Sequence, residues 1–248
     1  MITGGSRREG NGGRLRDSKV PQLHLLGQWS LNGAIKDLKA VRCGMRGRRG
    51  IDSLLLSFTE AKMSLVSFEA STQTIVTESI HFYEHEALKP KSFNDHQSCD
   101  LRVDPAGRCA IMRIYEDQLA VLPLIGPDEP SSNGAKPYMD SYVVNLRSAD
   151  IEIHNVRDFV FLNGYLEPTL AVLHERQVTW AGMAEKQRDT CVVSMLSLDV
   201  ARRVMSVIQT ASGLPYDCHT IVPVPQPIGG VVVVAASSIS HISNGTLT

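Results

Sequence analysis

The sequence predicts an all-β fold, namely a partial (incomplete) β-propeller of about three to four four-stranded antiparallel blades. Three observations support this class. Short runs of apolar or alternating residues follow one another about every 8–12 positions from Gln22 onward. β-Branched residues dominate several of these runs, as in Val231–Val234. Past Gln22, no stretch keeps a helical apolar stripe for three turns.

The runs predict about fourteen strands, which is the number that three to four blades of four strands require. The predicted strands are Leu23–Leu31, Ile35–Arg42, Ser53–Phe58, Ser64–Phe68, Ile75–Phe82, Arg108–Tyr115, Gln118–Leu124, Ser141–Leu146, Ile151–Leu162, Thr169–His174, Thr190–Asp199, Ala201–Gln209, His219–Val224 and Val231–Ser238. Turn residues separate them, as at Asn163-Gly164 and Gly229-Gly230. Larger rings are common in this fold, so we expect the ring to be open or incomplete.

Two regions are predicted. Residues 1–20 lack periodicity and are expected to form a disordered, basic Gly/Arg-rich head, whereas residues 21–248 are expected to form a partial propeller domain. Residues 1–50 hold 11 Lys and Arg against three Asp and Glu, although the net charge of the whole chain is −1. Such a basic end indicates either a contact with a polyanion or simply a solvated, unfolded segment.

Composition restricts the cellular environment. The five cysteines are an odd number, contain no C-x-x-C pair and are expected to be reduced, as in the cytosol or nucleus. Cys109, Cys191 and Cys218 stand among apolar residues and are predicted to lie in the core. No apolar run approaches the roughly 20 residues that a membrane helix needs, so no membrane contact is expected.

The segment His81–His85 reads H-F-Y-E-H, which matches the H-x-x-E-H zinc signature of one class of metalloproteases. That signature binds zinc only on a helix, where both imidazoles share one face. The residues before His81 alternate as in a strand, and a strand would hold His81 and His85 ~13 Å apart. We therefore predict no metal site and no cofactor.

Other catalytic patterns are weaker. Cys218 and His219 are neighbours that would point to opposite faces of a strand, so they cannot act as nucleophile and base. His96 and Cys99 lack a second ligand pair nearby in the sequence. Glu175 and Glu185 leave an all-β hydrolase as a remote alternative, although both are expected on a solvated surface. We predict no catalytic residue and no enzymatic activity.

The segment Arg42–Gly50 concentrates arginine between two predicted strands. Arg42, Arg46, Arg48 and Arg49 are candidates for contacts with RNA phosphates, which need charge but no base reading. The alternative is a flexible hairpin loop whose arginines face water. No aromatic residue interleaves with these arginines, so base stacking is not expected at this loop.

Four longer segments carry a family resemblance. They are EAKMSLVSFEASTQTI (Glu60–Ile75), RVDPAGRCAIMRIYEDQLAVLP (Arg102–Pro123), FVFLNGYLEPTLAVLHE (Phe159–Glu175) and LPYDCHTIVPVPQPIGGVVVVA (Leu214–Ala235). With the motifs G-Y-x-E-P-T-L and P-x-P-I-G-G-V, they resemble the family of the largest subunit of the cleavage and polyadenylation specificity factor. Its kin include the large damaged-DNA-binding protein and a propeller subunit of a splicing factor. The resemblance runs from about Leu31 to Ala236.

The resemblance implies an architecture. Members of this family contain three seven-bladed β-propellers and a helical C-terminal domain, and this sequence is similar to the N-terminal part of the first propeller. Residues 21–248 would then be a partial first propeller domain. We accordingly expect a fragment or a truncated isoform.

The resemblance also implies a function. It indicates a non-enzymatic scaffold subunit in nuclear pre-mRNA cleavage and polyadenylation, which supports recognition of the AAUAAA signal through partner subunits. The implied partners are other subunits of that complex, namely WD-repeat and zinc-finger subunits, with pre-mRNA contacted indirectly. An alternative within the wider family is a propeller adaptor of a DNA-damage ubiquitin ligase or of a splicing complex.

Overall fold

The computed structural model describes residues 24–25, 27–42, 52–59, 61–85, 99–126, 136–148, 151–180, 182–183, 186–243 and 246–247. The chain divides into two units, Met1–Leu31 and Asn32–Thr248. Residues 1–20, predicted to be a disordered head, lie outside the described ranges. In the first unit, the described residues form no strand, so the predicted strand Leu23–Leu31 is wrong. Leu25 there is 84% exposed, which shows that no sheet buries its apolar side chain.

The described residues of the second unit form four antiparallel sheets, each built from four strands that are consecutive in the chain. We number these sheets blades 1 to 4. Blade 1 contains β1 (Ile35–Val41), β2 (Ser53–Phe58), β3 (Lys62–Glu69) and β4 (Thr74–Phe82). Blade 2 contains β5 (Leu101–Val103), β6 (Cys109–Ile114), β7 (Gln118–Pro123) and β8 (Tyr142–Asn145).

Blade 3 contains β9 (Val156–Phe161), β10 (Thr169–Glu175), β11 (Cys191–Asp199) and β12 (Val204–Leu214). Blade 4 contains β13 (Thr220–Pro223), β14 (Val231–Val234), β15 (Ile239–Ser243) and β16 (Thr246–Leu247). The prediction of a partial β-propeller with four-stranded blades is thus confirmed. The described residues include no helix that could cross a lipid bilayer.

Most predicted strands are present, and the bounds of β2 are as predicted. Two predicted strands are divided or shortened. Ile151–Leu162 is a turn followed by β9, because Glu152 and Asn155 have positive φ angles of 52° and 53° that break an extended backbone. Val231–Ser238 contains β14, and the chain then turns before it enters β15.

The blades pack face to face through three apolar clusters. Blades 1 and 2 share a cluster that includes Leu65 and Met112, and blades 2 and 3 share one that includes Ile111 and Phe159. Blades 3 and 4 share a cluster that includes Leu173 and Val231. Ile111 and Met112 are adjacent residues of β6 that serve different clusters, because successive side chains of a strand point to opposite faces.

The first strands of the four blades lie side by side. β1 contacts β5, β5 contacts β9, and β9 contacts β13. We call these four the inner strands. The connections between the first and second strands of the blades lie together on one side of the unit, which we call the first rim. A Cβ at Gly107 would lie 3.5 Å from the Arg42 carbonyl oxygen, Arg108 donates to the Tyr165 and Leu166 carbonyls, and Gln226 donates to the Asn163 carbonyl. The connections between second and third strands fall on the opposite side, the second rim.

Candidate functional site

Acidic and basic side chains link the inner strands in series. Asp37 on β1 accepts a hydrogen bond from the Leu101 amide at 3.0 Å, and its Oδ2 lies 3.5 Å from Arg102 Nη1. Arg102 on β5 donates from Nη2 to Asp158 Oδ1 on β9 at 3.0 Å. Asp158 Oδ2 in turn accepts from Thr220 Oγ1 at 2.8 Å. The series therefore crosses all three boundaries between blades.

Both carboxylates bond to backbone amides and to cationic side chains. Burial by itself would raise the pKa of Asp37, but hydrogen bonds from the Leu101 amide and from Lys39 outweigh it, so the pKa lies below its ordinary value. Asp158 is 8% exposed and also accepts from the Ile221 amide at 3.0 Å. Charges that are bonded to neighbouring strands in this way fix the positions of those strands relative to one another.

The first rim carries a second arginine bridge. Arg108, just before β6, donates from Nε to Asp104 Oδ2 at 2.7 Å, and the Asp104 side chain is 0% exposed. The same guanidinium donates from Nη1 to the carbonyl oxygens of Tyr165 and Leu166 in the β9–β10 connection. Arg108 therefore fastens a loop of blade 3 to a turn of blade 2.

The β9–β10 and β13–β14 connections are also in contact. Gly164 has a φ of 84°, and a Cβ there would lie 2.7 Å from the side-chain nitrogen Nε2 of Gln226. The same nitrogen donates a hydrogen bond to the Asn163 carbonyl oxygen at 3.4 Å. Leu166 and Ile228, at the tips of these two connections, are 97% and 69% exposed. The first rim thus presents apolar side chains on a backbone that neighbouring blades hold in place.

Of the four arginines predicted to contact phosphates, Arg42 is described. It follows β1 on the first rim, and its Nε lies 3.0 Å from Asp52 Oδ1. This exposed ion pair partly compensates its charge, since the Arg42 side chain is 69% exposed and that of Asp52 is 44% exposed. Arg46, Arg48 and Arg49 lie outside the described residues.

The structure places the zinc-like segment on a strand end. His81 lies in β4, as the sequence predicts, and Phe82 ends that strand. Its Nε2 is 3.0 Å from Ser79 Oγ and its Nδ1 is 3.3 Å from Ser141 Oγ. Burial, and then the charge of Lys136, lowers the pKa of His81. In the described part of the chain, no group of three or more His, Cys, Asp or Glu side chains could hold a metal ion.

The other polar candidates are separated by the fold. Cys218 is buried between blades 3 and 4, whereas the neighbouring His219 is exposed. Glu175 was expected on a solvated surface, and this is wrong: it is 2% exposed and accepts a hydrogen bond from Arg157 Nη2 at 2.8 Å. Glu185 and His96 lie outside the described residues. Cys109, Cys191 and Cys218 are all buried, as predicted.

Sequence reasoning missed the carboxylates that join the blades. Asp158 lies inside β9 next to Arg157, and Asp104 opens a turn that ends four residues later in Arg108. A charged residue inside a predicted strand is the available signal, because a buried charge needs a partner. The identity of that partner depends on blade packing and is not visible in the sequence.

Comparison with known proteins identifies relatives over most of the chain. A family model described as the RSE1/DDB1/CPSF1 first beta-propeller matches residues 14–246. The chain is 33% identical to "Cleavage and polyadenylation specificity factor subunit 1" of Arabidopsis thaliana, over 96% of this chain and 18% of that protein. It is 31% identical to the Drosophila melanogaster protein of the same name, over 98% of this chain and 18% of that protein.

A fungal protein is similar as well. "Protein CFT1" of Debaryomyces hansenii is 29% identical, over 92% of this chain and 19% of that protein. The chain therefore spans less than a fifth of the length of these relatives. All four blades fall within the residues that the family model matches, apart from the final residue of β16.

Proposed function

Because the chain belongs to the RSE1/DDB1/CPSF1 first beta-propeller family, we propose that it acts as a non-enzymatic scaffold in pre-mRNA cleavage and polyadenylation in the nucleus. In this role, residues 21–248 form part of the first propeller. They hold WD-repeat and zinc-finger subunits of the complex in position, and those subunits recognise the AAUAAA signal. The pre-mRNA is then contacted mainly through these partners.

One observation carries the proposal. Similarity to proteins named as subunit 1 of the cleavage and polyadenylation specificity factor extends over 96% and 98% of the chain, rather than over a short motif. The names of these relatives describe a specificity factor and not an enzyme. Similarity over the full set of blades supports a shared surface, because exposed loops depend on the strands that carry them.

The physical character of the unit supports a scaffold. Apolar side chains fill the boundaries between neighbouring blades, and ion pairs such as Arg102–Asp158 cross them. The buried carboxylates of Asp104 and Asp158 are engaged by arginines and backbone amides, so they serve packing rather than proton transfer. A rigid body with exposed, fixed loops suits the display of contacts for partner proteins.

The arginine-rich β1–β2 connection adds a direct phosphate contact to the proposal. Arg46, Arg48 and Arg49 supply charge to it, and Arg42 contributes less because Asp52 pairs with it. A contact of this type is electrostatic, and added salt therefore weakens it. Replacement of Arg46, Arg48 and Arg49 by Gln should lower RNA affinity and flatten its dependence on salt.

The proposal is tested by affinity purification of the tagged 248-residue chain from nuclear extract, followed by mass spectrometry. We expect WD-repeat and zinc-finger subunits of the polyadenylation complex. A first-rim variant, Leu166→Asp, tests whether the exposed loop tips contribute to recovery, and Val178→Asp on the second rim is its matched control. Recovery of cullin or splicing subunits instead, with no polyadenylation subunit, would overturn the proposal and favour an adaptor role.

A further inference from the structure

A polar cleft lies on the second rim, where the β10–β11 connection meets blade 3. It encloses about 610 Å³, and its walls include Arg176, Lys186, Arg188, Asp189, Thr190 and Ser212. An adjoining hollow of about 720 Å³ shares Arg188 and Asp189 and continues to Tyr216, Ser237 and Ser238. Asp217 also lines this hollow. Together they form a trough lined by hydroxyl groups, two carboxylates and three cations, and all three cations line the first cleft.

The cations of this cleft differ from most of the other arginines of the blades. Arg102, Arg108, Arg147 and Arg157 each pair with a carboxylate. Arg176, Lys186 and Arg188 are exposed, and within the described residues none of the three makes an ion pair. Asp189 lines the same cleft, so three cations stand against one carboxylate there. The cleft therefore attracts anions on an otherwise acidic body.

An exposed indole stands on the same connection. Trp180 is 64% exposed, although tryptophan is usually largely buried. Its carbonyl accepts the Met183 amide at 2.8 Å, and the Met183 carbonyl accepts the Lys186 amide at 2.9 Å. Successive turns thus tie Trp180 to the segment that supplies Lys186. The chain has two tryptophans, and the other, Trp29, is in the first unit.

We propose that this second-rim cleft binds single-stranded RNA. The phosphates lie against Arg176, Lys186 and Arg188, and one base stacks on Trp180. Cations that follow a backbone, combined with an accessible aromatic face, are the two elements of single-strand binding that does not read sequence. The hydroxyls of Thr190 and Ser212 can donate to phosphate oxygens or to the ribose 2′-OH.

The exposed indole favours a nucleic acid over a phosphorylated peptide. A phosphopeptide would use the cations but would leave Trp180 without a flat partner. The choice of RNA over DNA rests on the proposed function. The inference that the cleft binds a single-stranded nucleic acid rests on its cations and on Trp180, and it does not depend on the proposed function. The site also adds a direct contact on the rim opposite the β1–β2 connection, where sequence analysis had placed the phosphate contacts.

Intrinsic fluorescence provides the test, because Trp29→Phe leaves Trp180 as the single tryptophan. The full chain with this change is titrated with a ten-nucleotide oligouridylate at two salt concentrations, with matched oligodeoxyuridylate, a phosphoserine peptide and inorganic phosphate as comparisons. We expect saturable quenching by RNA. The logarithm of the association constant should fall with log salt at a slope of roughly −2, as for three phosphate contacts on a single strand.

Two cleft variants sharpen the result. The triple change R176Q/K186Q/R188Q should lower the affinity measured by Trp180 quenching more than tenfold and flatten its dependence on salt. Trp180→Leu, followed by fluorescence anisotropy of labelled RNA, should lower the affinity about five- to hundredfold through loss of stacking. The control K36Q/R202Q/R203Q removes three exposed cations outside the cleft and should change the affinity less than twofold. Far-ultraviolet circular dichroism and melting of each variant check that the fold is kept.

Three outcomes would overturn the inference: no saturable quenching by RNA, equal loss of affinity in the control, or tighter binding of the phosphoserine peptide or inorganic phosphate than of RNA. Tighter binding of DNA than of RNA would reject RNA as the ligand while leaving the cleft a nucleic-acid site. Affinity purification with the Trp180→Leu chain distinguishes this inference from the proposed function, because it measures recovery of polyadenylation subunits independently of RNA affinity. Loss of RNA binding with normal recovery means that the two are independent.

Discussion

Arg102 Nη2 lies 3.0 Å from Asp158 Oδ1, and this contact joins the inner strands of blades 2 and 3. The Asp158 side chain is 11% exposed, and the Arg102 side chain, at 27%, reaches solvent at the surface of the inner strands. Asp158 also accepts hydrogen bonds from Thr220 and Ile221, the first residues of β13. This one carboxylate of blade 3 therefore bonds to blades 2 and 4. The relative position of these blades therefore depends on a small number of charged side chains.

Asp158→Ala should destabilise the unit strongly. The change leaves the Thr220 hydroxyl and the Ile221 amide without this acceptor and removes one of the two carboxylates beside Arg102, which keeps Asp37. Loss of one partner of a buried, hydrogen-bonded charge costs about 3 kcal/mol or more. The matched control is Asp199→Ala, whose carboxylate lies 3.7 Å from an Arg202 that is 84% exposed. Such a surface pair contributes less than about 1 kcal/mol. Equal shifts of the urea midpoint in the two variants would contradict this role of Asp158.

Gly230→Ala should be more damaging than Gly213→Ala, although both residues have positive φ, 78° and 83°. A Cβ at Gly230 would lie 2.2 Å from the Ile242 carbonyl oxygen, whereas a Cβ at Gly213 would have no atom within 4 Å. We expect a loss of about 1 kcal/mol at Gly213 from backbone strain alone. At Gly230 we expect a further loss of about 2 kcal/mol, because the backbones of β14 and β15 must separate. Thermal unfolding of both variants measures the difference.

Much of the fold could be predicted because each strand shows its own pattern. β2 has a compact apolar run between polar neighbours, and its bounds agree with the prediction. β5 was missed because it has three residues with Arg102 at its centre, and its strand character comes from pairing with β6. Leu23–Leu31 shows the opposite error, since an apolar run with no sheet to join does not become a strand.

The candidate site was less predictable, and the reason is distance along the chain. Arg102 and Asp158 are separated by 56 residues, and Arg108 and Leu166 by 58. No local pattern reports such pairs. The cleft of Arg176, Lys186 and Arg188 was overlooked for a different reason. Its cations are spread over a turn-rich connection with one tryptophan, so composition alone shows no cluster.

His174 should make stability dependent on pH between about 6.5 and about 4. Burial, and then the charge of Arg176, lowers the pKa of His174 to about 4 from its ordinary 6.5. Below pH 6.5 the unfolded chain binds a proton at His174 that the folded chain does not, so stability falls as the pH drops. The contribution, about 3 kcal/mol, is complete near pH 4.

Urea unfolding across this pH range measures the effect. His174→Gln should keep the contact to Ser194 Oγ, which lies 2.9 Å from His174 Nε2, and should flatten the profile relative to the unmodified chain. The control His24→Gln changes an exposed residue and should leave the slope unaltered. If the free energy of unfolding of His174→Gln changes with pH as steeply as that of the unmodified chain, the imidazole of His174 does not cause the pH dependence.

Arg108→Gln should loosen the β9–β10 connection with a smaller effect on global stability. Its guanidinium donates to the carbonyls of Tyr165 and Leu166, and a glutamine cannot reach both these carbonyls and Asp104. Hydrogen exchange followed by mass spectrometry should show at least about fivefold faster exchange in residues 163–168. Arg147→Gln removes an arginine bonded to Asp117 on the second rim and should leave this segment unchanged. If residues 163–168 exchange no faster in Arg108→Gln than in Arg147→Gln, Arg108 does not restrain this loop.

Every blade is completed by strands that follow one another directly in the chain. During synthesis, a blade can therefore acquire its hydrogen bonds as soon as its fourth strand has left the ribosome, without waiting for distant sequence. Each finished sheet then offers an apolar face on which the next one can form. This order favours growth of the structure in the direction of translation, one module at a time.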